Sequence, residues 1–136
     1  FKMYKFRSMA VQSAAKEKSQ WTTPGDPRVT PIGRFIRKTS IDELPQLFNI
    51  LKGEMTFVGP RPPLVSEVEK YNSYQRQRLG VKQGLTCFWQ CSGRNNIGFE
   101  EWVALDLKYI KTRGIWTDIK ILLKTVSAVL RMDGAC

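Results

Sequence analysis

The sequence contains no histidine. Catalysis by Ser-His-Asp or Cys-His groups, zinc sites with histidine ligands and phosphotransfer through histidine are therefore excluded within this chain. Acid–base or nucleophilic chemistry must depend on carboxylates, lysine, tyrosine or cysteine. The sequence also has no run of about 18 apolar residues, so it predicts no membrane-spanning helix within these residues.

Cysteine is scarce, with Cys87, Cys91 and Cys136 as the only three. The odd number and the absence of a repeated metal-ligand spacing predict free thiols in a reducing compartment. Cys87 and Cys91 could ligate a metal, but no further Cys or His is placed to complete the shell. Their interpretation as small buried hydrophobic residues is favoured.

Acidic residues are few, 12 against 22 basic ones, which gives a net charge of +10. This charge suits a polyanionic partner: nucleic acid, anionic lipid head groups or a phosphorylated substrate. With 136 residues, 42% of them hydrophobic, residues 1–136 are expected to form a single domain with an ordinary core. Because the chain starts at Phe1 with residues typical of a strand, we expect it to be a fragment of a longer protein.

The pattern of apolar residues predicts an α+β fold: a helix-rich small domain with a few short strands or a hairpin. Thr30 is a candidate N-cap with Pro31 at the first helical position. We expect a strand at 1–9, an irregular segment at 10–29 and a short helix after Thr30. A helix from Ser40 or Asp42 to Leu51 follows, with an apolar stripe (Leu44, Leu47, Phe48 and Leu51), then an extended piece at 54–58 and a helix at 64–79 with Leu64, Val65, Val68 and Tyr71 inward. The remaining elements are a strand or hairpin at 81–92, a helix at 99–113 and a last helix capped at 117–118 and ending near Met132.

The last of these helices has a wider apolar arc than one core-facing stripe needs. Its apolar residues alternate with Lys120, Lys124 and Arg131. A core helix is the default interpretation of this pattern. The alternative is a helix that lies at a membrane interface with its basic residues toward the lipid head groups.

Two adjacent carboxylates, Asp42 and Glu43, stand where a helix is expected to begin. In one interpretation Ser40 and Glu43 form a capping box, and Glu43 merely accepts from a backbone N–H. Pro45 fits better if Asp42 is the cap, because it then falls within the first helical turn. In both cases the carboxylates flank a helix N-terminus, which attracts anions. Two neighbouring carboxylates can bind Mg²⁺, and an aspartate can attack phosphorus.

A proline-rich loop follows at residues 58–63 (VGPRPP) and carries one arginine, Arg61. Pro60 and Pro62 restrict the backbone on either side of it. A guanidinium held in this way loses less freedom when it pairs with phosphate. In isolation the loop is more typical of a proline-rich connector with a surface arginine, but together with the carboxylate pair it indicates phosphate chemistry.

These motifs and their flanks, taken together and in this order, closely resemble the bacterial sugar transferase family. Its members are monotopic phosphoglycosyl transferases that act on polyprenyl phosphate. The resemblance covers essentially the whole chain. It is carried by KFRSM (5–9), DPRVT (26–30), GRFIRKTSIDELPQ (33–46), VGPRP (58–62), KQGLT (82–86) and WQCSGR (89–94).

The resemblance implies that a UDP-sugar gives its phosphosugar to undecaprenyl phosphate and that UMP leaves. It implies Asp42 as the nucleophile that forms a covalent phosphosugar intermediate, and Glu43 as its helper in metal and proton handling. Mg²⁺ would be the cofactor, held by this pair of carboxylates. Arg37 and Arg61 match family arginines near the phosphates, and Arg94 is a candidate for the nucleotide.

The resemblance also implies a location at the cytoplasmic face of the bacterial inner membrane, with amphipathic helices packing at the membrane interface. The reaction would be the first membrane step of glycoconjugate, capsule or exopolysaccharide synthesis. The sugar and the oligomeric state are not indicated by the sequence. Family members carry an N-terminal hydrophobic re-entrant segment that this sequence lacks, as expected of a catalytic-domain fragment.

The sequence departs from the family pattern at three positions. Cys87 replaces the usual glycine after Leu-Thr, Cys91 replaces an aliphatic residue before Ser-Gly-Arg, and Glu54 replaces the usual aspartate after Lys-Gly. None of these changes touches the carboxylate pair. The loss of the glycine could alter a turn near the nucleotide pocket.

Two other functions compete with the transferase. A basic nucleic-acid-binding module explains the charge and the four tryptophans, but neither the carboxylate pair nor the proline loop. A membrane-surface domain without catalysis would use the last helix and the basic residues. The ordered set of motifs favours the transferase and no nucleic-acid partner.

Overall fold

A computed structural model describes residues 1–11, 25–91 and 97–131 of the chain. In this part, seven α-helices surround a sheet of two short strands, which confirms the expected α+β class. The helices are α1 (Pro31–Lys38), α2 (Gln46–Leu51), α3 (Val65–Val68), α4 (Ser73–Arg76), α5 (Phe88–Cys91), α6 (Phe99–Thr112) and α7 (Ile115–Arg131); the strands are β1 (Thr56–Val58) and β2 (Gly84–Thr86); and 3₁₀ turns lie at Ile41–Glu43 and Gln77–Leu79.

The two strands are parallel, with Thr56 opposite Gly84 and Val58 opposite Thr86. Of the two alternatives predicted at 81–92, the strand is confirmed by β2, and the described residues after it form α5 rather than the second arm of a hairpin. Parallel strands cannot be joined by a tight turn, and the residues between them, including α3 and α4, form the crossover.

The apolar core lies where the sheet meets α5, α6 and α7. Val58, Cys87, Tyr109 and Ile121 form its buried centre. Cys87 is fully buried, as predicted, and burial raises the pKa of its thiol far above the usual range. Both described cysteines, Cys87 and Cys91, are free thiols. This core holds the sheet, and the loop that follows β1, against the two long helices.

The predicted helix at 64–79 is wrong, because the chain forms α3, α4 and a 3₁₀ turn there. Asn72 restarts the helix with a capping box: its side chain accepts from the Gln75 amide (2.9 Å), and the Gln75 side chain accepts from the Asn72 amide (3.0 Å). Of the residues expected to point inward, Tyr71 is buried whereas Leu64 and Val65 are exposed. The local cap overrides the helical periodicity.

The start of α1 is as predicted. Thr30 Oγ1 accepts from the Gly33 amide at 2.9 Å, and Pro31 occupies the first helical position. A Cβ at Gly33 would lie 1.9 Å from the Ser8 carbonyl oxygen, so only glycine allows α1 this close to the N-terminal segment. That segment is extended, but instead of the expected strand it forms one antiparallel bridge, between Met9 and Val29.

The apolar stripe predicted on α2 is present, but it faces outward. Leu44, Leu47, Phe48 and Leu51 are all exposed, Leu51 at 82%. The polar residues Gln46 and Asn49 are buried instead. Helical periodicity separates the two faces of α2, but it does not tell which one the protein interior contacts.

The last helix, α7, begins at Ile115, slightly before the expected cap at 117–118. Thr117 and Asp118 join it to α6 instead: Thr117 Oγ1 donates to the Thr112 carbonyl (2.7 Å), and Asp118 accepts from the Tyr109 hydroxyl (2.9 Å). Ile121 is buried, while most large apolar residues of α7 are exposed. None of the helices in the described ranges combines the length and the apolar composition that a membrane span needs.

Candidate active site

Asp42 and Glu43 lie on the 3₁₀ turn between α1 and α2, and both are buried. The capping-box interpretation is wrong, because Ser40 makes no side-chain cap bond and adopts a left-handed backbone conformation with φ of 56°. Such a conformation costs a non-glycine residue about 1 kcal/mol or more. The fold therefore holds a locally strained turn directly before the two carboxylates.

The helix terminus expected at the carboxylates also lies elsewhere. Pro45 is the N-cap of α2, which begins at Gln46 and runs only to Leu51. Asp42 and Glu43 precede this helix rather than forming its first turn. The positive charge around them comes from side chains rather than from a helix end.

Lys5 supplies the first of these charges. Its Nζ lies 2.9 Å from Asp42 Oδ2 and 3.4 Å from Glu43 Oε1. The Phe6 amide donates to the Asp42 carbonyl at 3.0 Å, so the backbone next to Lys5 is fixed to the same turn. Residues far apart in sequence are thereby brought together at the two carboxylates.

Arg61, on the proline loop, supplies the second charge. Its Nη1 lies 3.1 Å from Glu43 Oε1. The loop is fixed by β2: the Gly84 amide donates to the Pro60 carbonyl, and the Gly59 amide donates to the Thr86 carbonyl, each at 2.9 Å. The loop is thus an extension of the sheet, and Arg61 stands at its end with restricted freedom.

The other two predicted arginines are placed differently. Arg37 Nε donates to Ser8 Oγ at 2.9 Å, so Arg37 contacts the N-terminal segment that also carries Lys5. The pKa of the nearby Asp26 is lowered to about 2, mainly by hydrogen bonds from Arg28, and the positive charge of Arg37 adds a smaller effect in the same direction. Arg94 lies outside the described residues.

The two carboxylates fit a magnesium ion only in part. Their oxygens are the hard ligands that Mg²⁺ prefers. Lys5 and Arg61 already neutralise much of their charge. Within the described ranges, no group of three or more acidic or cysteine side chains is arranged to hold a metal ion. Mg²⁺ would therefore need water and substrate phosphate for its remaining ligands, as it commonly does.

Lys5 and Arg61 contact the two carboxylates differently. The structure describes a partner for only one Asp42 carboxylate oxygen, Oδ2, whereas Glu43 Oε1 contacts both Lys5 and Arg61. Glu43 joins the two cations, and Lys5 orients Asp42. A polyanion approaching this cluster would meet two cations that are only partly buried.

Lys5 is the site residue that sequence reasoning missed. Lys5 lies within the KFRSM motif, but the motif does not indicate a role for it. A single lysine among other basic residues has no local pattern that marks it. Its ion pairs with Asp42 and Glu43 form only in the folded chain.

Known proteins resemble this chain over nearly its whole length. The family model for bacterial sugar transferase matches residues 1–132. The chain is 53% identical to the galactosyl transferase CpsE of Streptococcus agalactiae, over 99% of the chain and 32% of the relative. It is 47% identical to the undecaprenyl-phosphate galactose phosphotransferase of Salmonella typhimurium, over 99% of the chain and 31% of the relative.

A third relative is the UDP-galactose-lipid carrier transferase of Erwinia amylovora, 44% identical over 99% of the chain and 31% of the relative. The chain thus spans about a third of the length of these three relatives. The match extends over both segments that meet at the carboxylates, the N-terminal segment with Lys5 and the proline loop with Arg61.

Proposed function

This chain belongs to the bacterial sugar transferase family, and we propose that it transfers a sugar-1-phosphate from a UDP-sugar to undecaprenyl phosphate and releases UMP. The single observation that carries the proposal is the Asp42–Glu43 pair with Lys5 and Arg61 around it. Carboxylates held among accessible cations suit a reaction in which a nucleophile must approach an anionic diphosphate.

In the first step, an Asp42 carboxylate oxygen attacks the β-phosphorus of the donor. An O–P bond forms, the bond from that phosphorus to UMP breaks, and UMP leaves with the electron pair. In the second step, a phosphate oxygen of undecaprenyl phosphate attacks the same phosphorus. The bond to Asp42 breaks, the carboxylate is restored, and the lipid diphosphate sugar is released.

The surrounding side chains have distinct roles in this scheme. Lys5 holds Asp42 Oδ2 and so directs the rest of the carboxylate toward the donor. Arg61 and Lys5 reduce the repulsion between the carboxylates and the diphosphate. Mg²⁺, held by Asp42 and Glu43 together with the donor, would neutralise charge on the diphosphate and on the departing UMP. Arg37 and Arg94 are proposed to contact the donor.

In this proposal the protein acts at a membrane surface, on the cytoplasmic face of the inner membrane. The exposed apolar side chains of two helices support it. On α2 and just before it, they lie opposite the buried polar side chains Gln46 and Asn49, and Asn49 contacts the N-terminal segment that carries Lys5. On α7 they follow helical spacing, with basic residues among them. They are Leu44, Leu47, Phe48, Leu51, Ile115, Trp116, Ile119, Leu122, Leu123, Val126 and Leu130.

The test is UMP release by the full-length protein in vesicles that contain undecaprenyl phosphate. A panel of UDP-sugars is offered with Mg²⁺, and UDP-galactose is the first donor because two of the relatives are named for galactose transfer to a lipid carrier. We expect release of UMP with at least one donor, dependent on the acceptor and abolished by a chelator of divalent ions. Salt-sensitive nucleic-acid binding without UMP release from any donor would overturn the proposal.

A further inference from the structure

The N-terminal segment of residues 2–8, here called the strap, is held along the buried polar face of α2. Two hydrogen bonds donated by backbone amides flank Lys5. The Tyr4 amide donates to Asn49 Oδ1 at 3.0 Å, and the Phe6 amide donates to the Asp42 carbonyl at 3.0 Å. The position of the Lys5 backbone is therefore set from both sides.

Asn49 is the hub of this attachment. It is completely buried. Its Nδ2 donates to the Lys2 carbonyl (2.8 Å) and to Glu54 Oε2 (2.6 Å), while its Oδ1 accepts from Tyr4. Both amide hydrogens and the oxygen are thus used, two of these three bonds going to the strap. A side chain needed only for packing would not have to be polar.

Glu54 and the Lys2 carbonyl together determine which way the Asn49 amide faces. An ionised carboxylate only accepts hydrogen bonds, so the NH₂ group must face Glu54 and the oxygen is left to face the Tyr4 amide. Glu54 is also the position at which this chain departs from the family's usual aspartate. The side chain at this position is therefore part of the attachment of the strap.

We infer that Asn49 is a positioning residue: through the strap, it sets where the Lys5 ammonium meets Asp42 and Glu43. The hydrogen bonds of its side chain go to strap backbone and to Glu54. It acts on the carboxylates through Lys5, whose Nζ lies 2.9 Å from Asp42 Oδ2. The kinetic part of this inference rests on the proposed transferase function, whereas the structural part does not.

A double-mutant cycle tests the kinetic part. UMP release is measured for Asn49→Leu, Lys5→Met and the double variant in the full-length protein. Because displacement of a site group by about 1 Å can cost up to about 100-fold, we expect Asn49→Leu to slow release by about 10- to 100-fold. The double variant should be no slower than Lys5→Met alone. Losses that multiply in the double variant would contradict action through Lys5.

Lys52→Met is the matched control. Lys52 Nζ donates to the Tyr4 hydroxyl at 2.7 Å and thus also holds the strap, but through an exposed side-chain bond. We expect this variant to release UMP at the wild-type rate. A loss equal to that of Asn49→Leu would show that any loosening of the strap has the same effect, and the special role of Asn49 would be withdrawn.

A second readout does not need enzymatic activity. The Lys5 amine is acylated with an amine-reactive ester, and its modification is followed by peptide mass spectrometry. Freed from its fixed position beside Asp42, Lys5 should react about threefold faster or more in Asn49→Leu, and at the wild-type rate in Lys52→Met. Wild-type reactivity of Lys5 in folded Asn49→Leu would overturn the inference.

Glu54→Leu serves if Asn49→Leu does not fold, because Glu54 is only half-buried and tolerates replacement more readily. It removes one of the two acceptors that orient the amide, so faster acylation of Lys5 is again expected. Unchanged acylation would contradict the inference. If no donor gives UMP release, the proposed function fails, but the acylation rates still decide whether Asn49 positions Lys5.

Discussion

Two of the buried acidic sites that pair with cations in the described part of the chain differ in their access to solvent. At the first, Asp42 and Glu43 meet Lys5 and Arg61, whose side chains are 32% and 22% exposed. At the second, Asp106 meets Arg78 at 2.6 Å, and both side chains are 0% exposed. An anion that enters from solvent can reach Lys5 and Arg61 but not Arg78.

The sealed pair is built as a structural element. Arg78 donates to the Tyr71 hydroxyl at 2.9 Å, and its guanidinium lies 4.3 Å from the centre of the Trp102 ring. Aromatic faces and hydrogen bonds surround the cation. Burial of a carboxylate therefore does not by itself indicate function; the partly exposed cations Lys5 and Arg61 distinguish the candidate site from the sealed pair.

The largest effect is expected at the accessible site. Asp42→Asn keeps the shape of the side chain but removes the nucleophile, so UMP release should fall by about 10⁴-fold or more. Thermal unfolding should change little, and Glu101→Gln, at an exposed position on α6, is the control that keeps activity. Wild-type turnover by Asp42→Asn would remove Asp42 from the mechanism.

The sealed pair should show the opposite behaviour. Arg78→Met leaves the Asp106 carboxylate buried without its cation, which costs about 3–5 kcal/mol of unfolding free energy. Urea denaturation at neutral pH measures this loss. The activity of each folded molecule should stay at the wild-type level. A stable but inactive Arg78→Met protein would mean that the two sites do not divide into function and structure.

An intermediate effect is expected from the backbone that holds Arg61. A Cβ at Gly84 would lie 2.2 Å from the Gly59 nitrogen, so Gly84→Ala must displace the start of the proline loop. Overpacking of this kind costs about 1–3 kcal/mol of stability, and displacement of Arg61 should slow UMP release about tenfold. Gly98→Ala is the control, since a Cβ there meets nothing within 4 Å. Equal activity of the two variants would contradict a positioning role for the loop.

The smallest effect concerns pH. Burial raises the pKa of Asp106 to about 6, and the attraction of Arg78 only partly opposes this shift. Between about pH 4 and 6 the folded state then binds more protons at Asp106 than the unfolded state does, so this group's contribution to stability falls as pH rises. Asp106→Asn should remove this slope from unfolding free energies measured across the window. An unchanged slope would mean that another group causes it.

The sequence predicted the parts of the fold that local chemistry determines. The N-cap and the proline that start α1 depend only on neighbouring residues. The helix α6 is long and uninterrupted, so its sequence pattern alone was enough to predict it. The predicted helix at 64–79 was wrong because the Asn72 capping box starts a new helix within the same apolar period. The strand predicted within 81–92 is present as β2, but its composition did not specify that β1 would be its parallel partner.

The candidate site was predicted in part, for the same physical reason. The carboxylate pair and the proline loop have local signatures, and the structure brings Glu43 and Arg61 together. Lys5 has no such signature, because its role arises from a strap held by Asn49 across 45 residues of sequence. Periodicity predicted that the apolar side chains of α2 share one face. It could not predict that this face is exposed, because periodicity does not identify what packs against the helix.

The most direct test of the central claim is to incubate the full-length protein with its UDP-sugar donor in the absence of undecaprenyl phosphate and to analyse the intact protein by mass spectrometry. We predict the mass increase of one phosphosugar, mapped by peptide analysis to Asp42 and discharged when the acceptor is added. Release of UMP with no adduct at Asp42, or with an adduct on another side chain, would contradict the account.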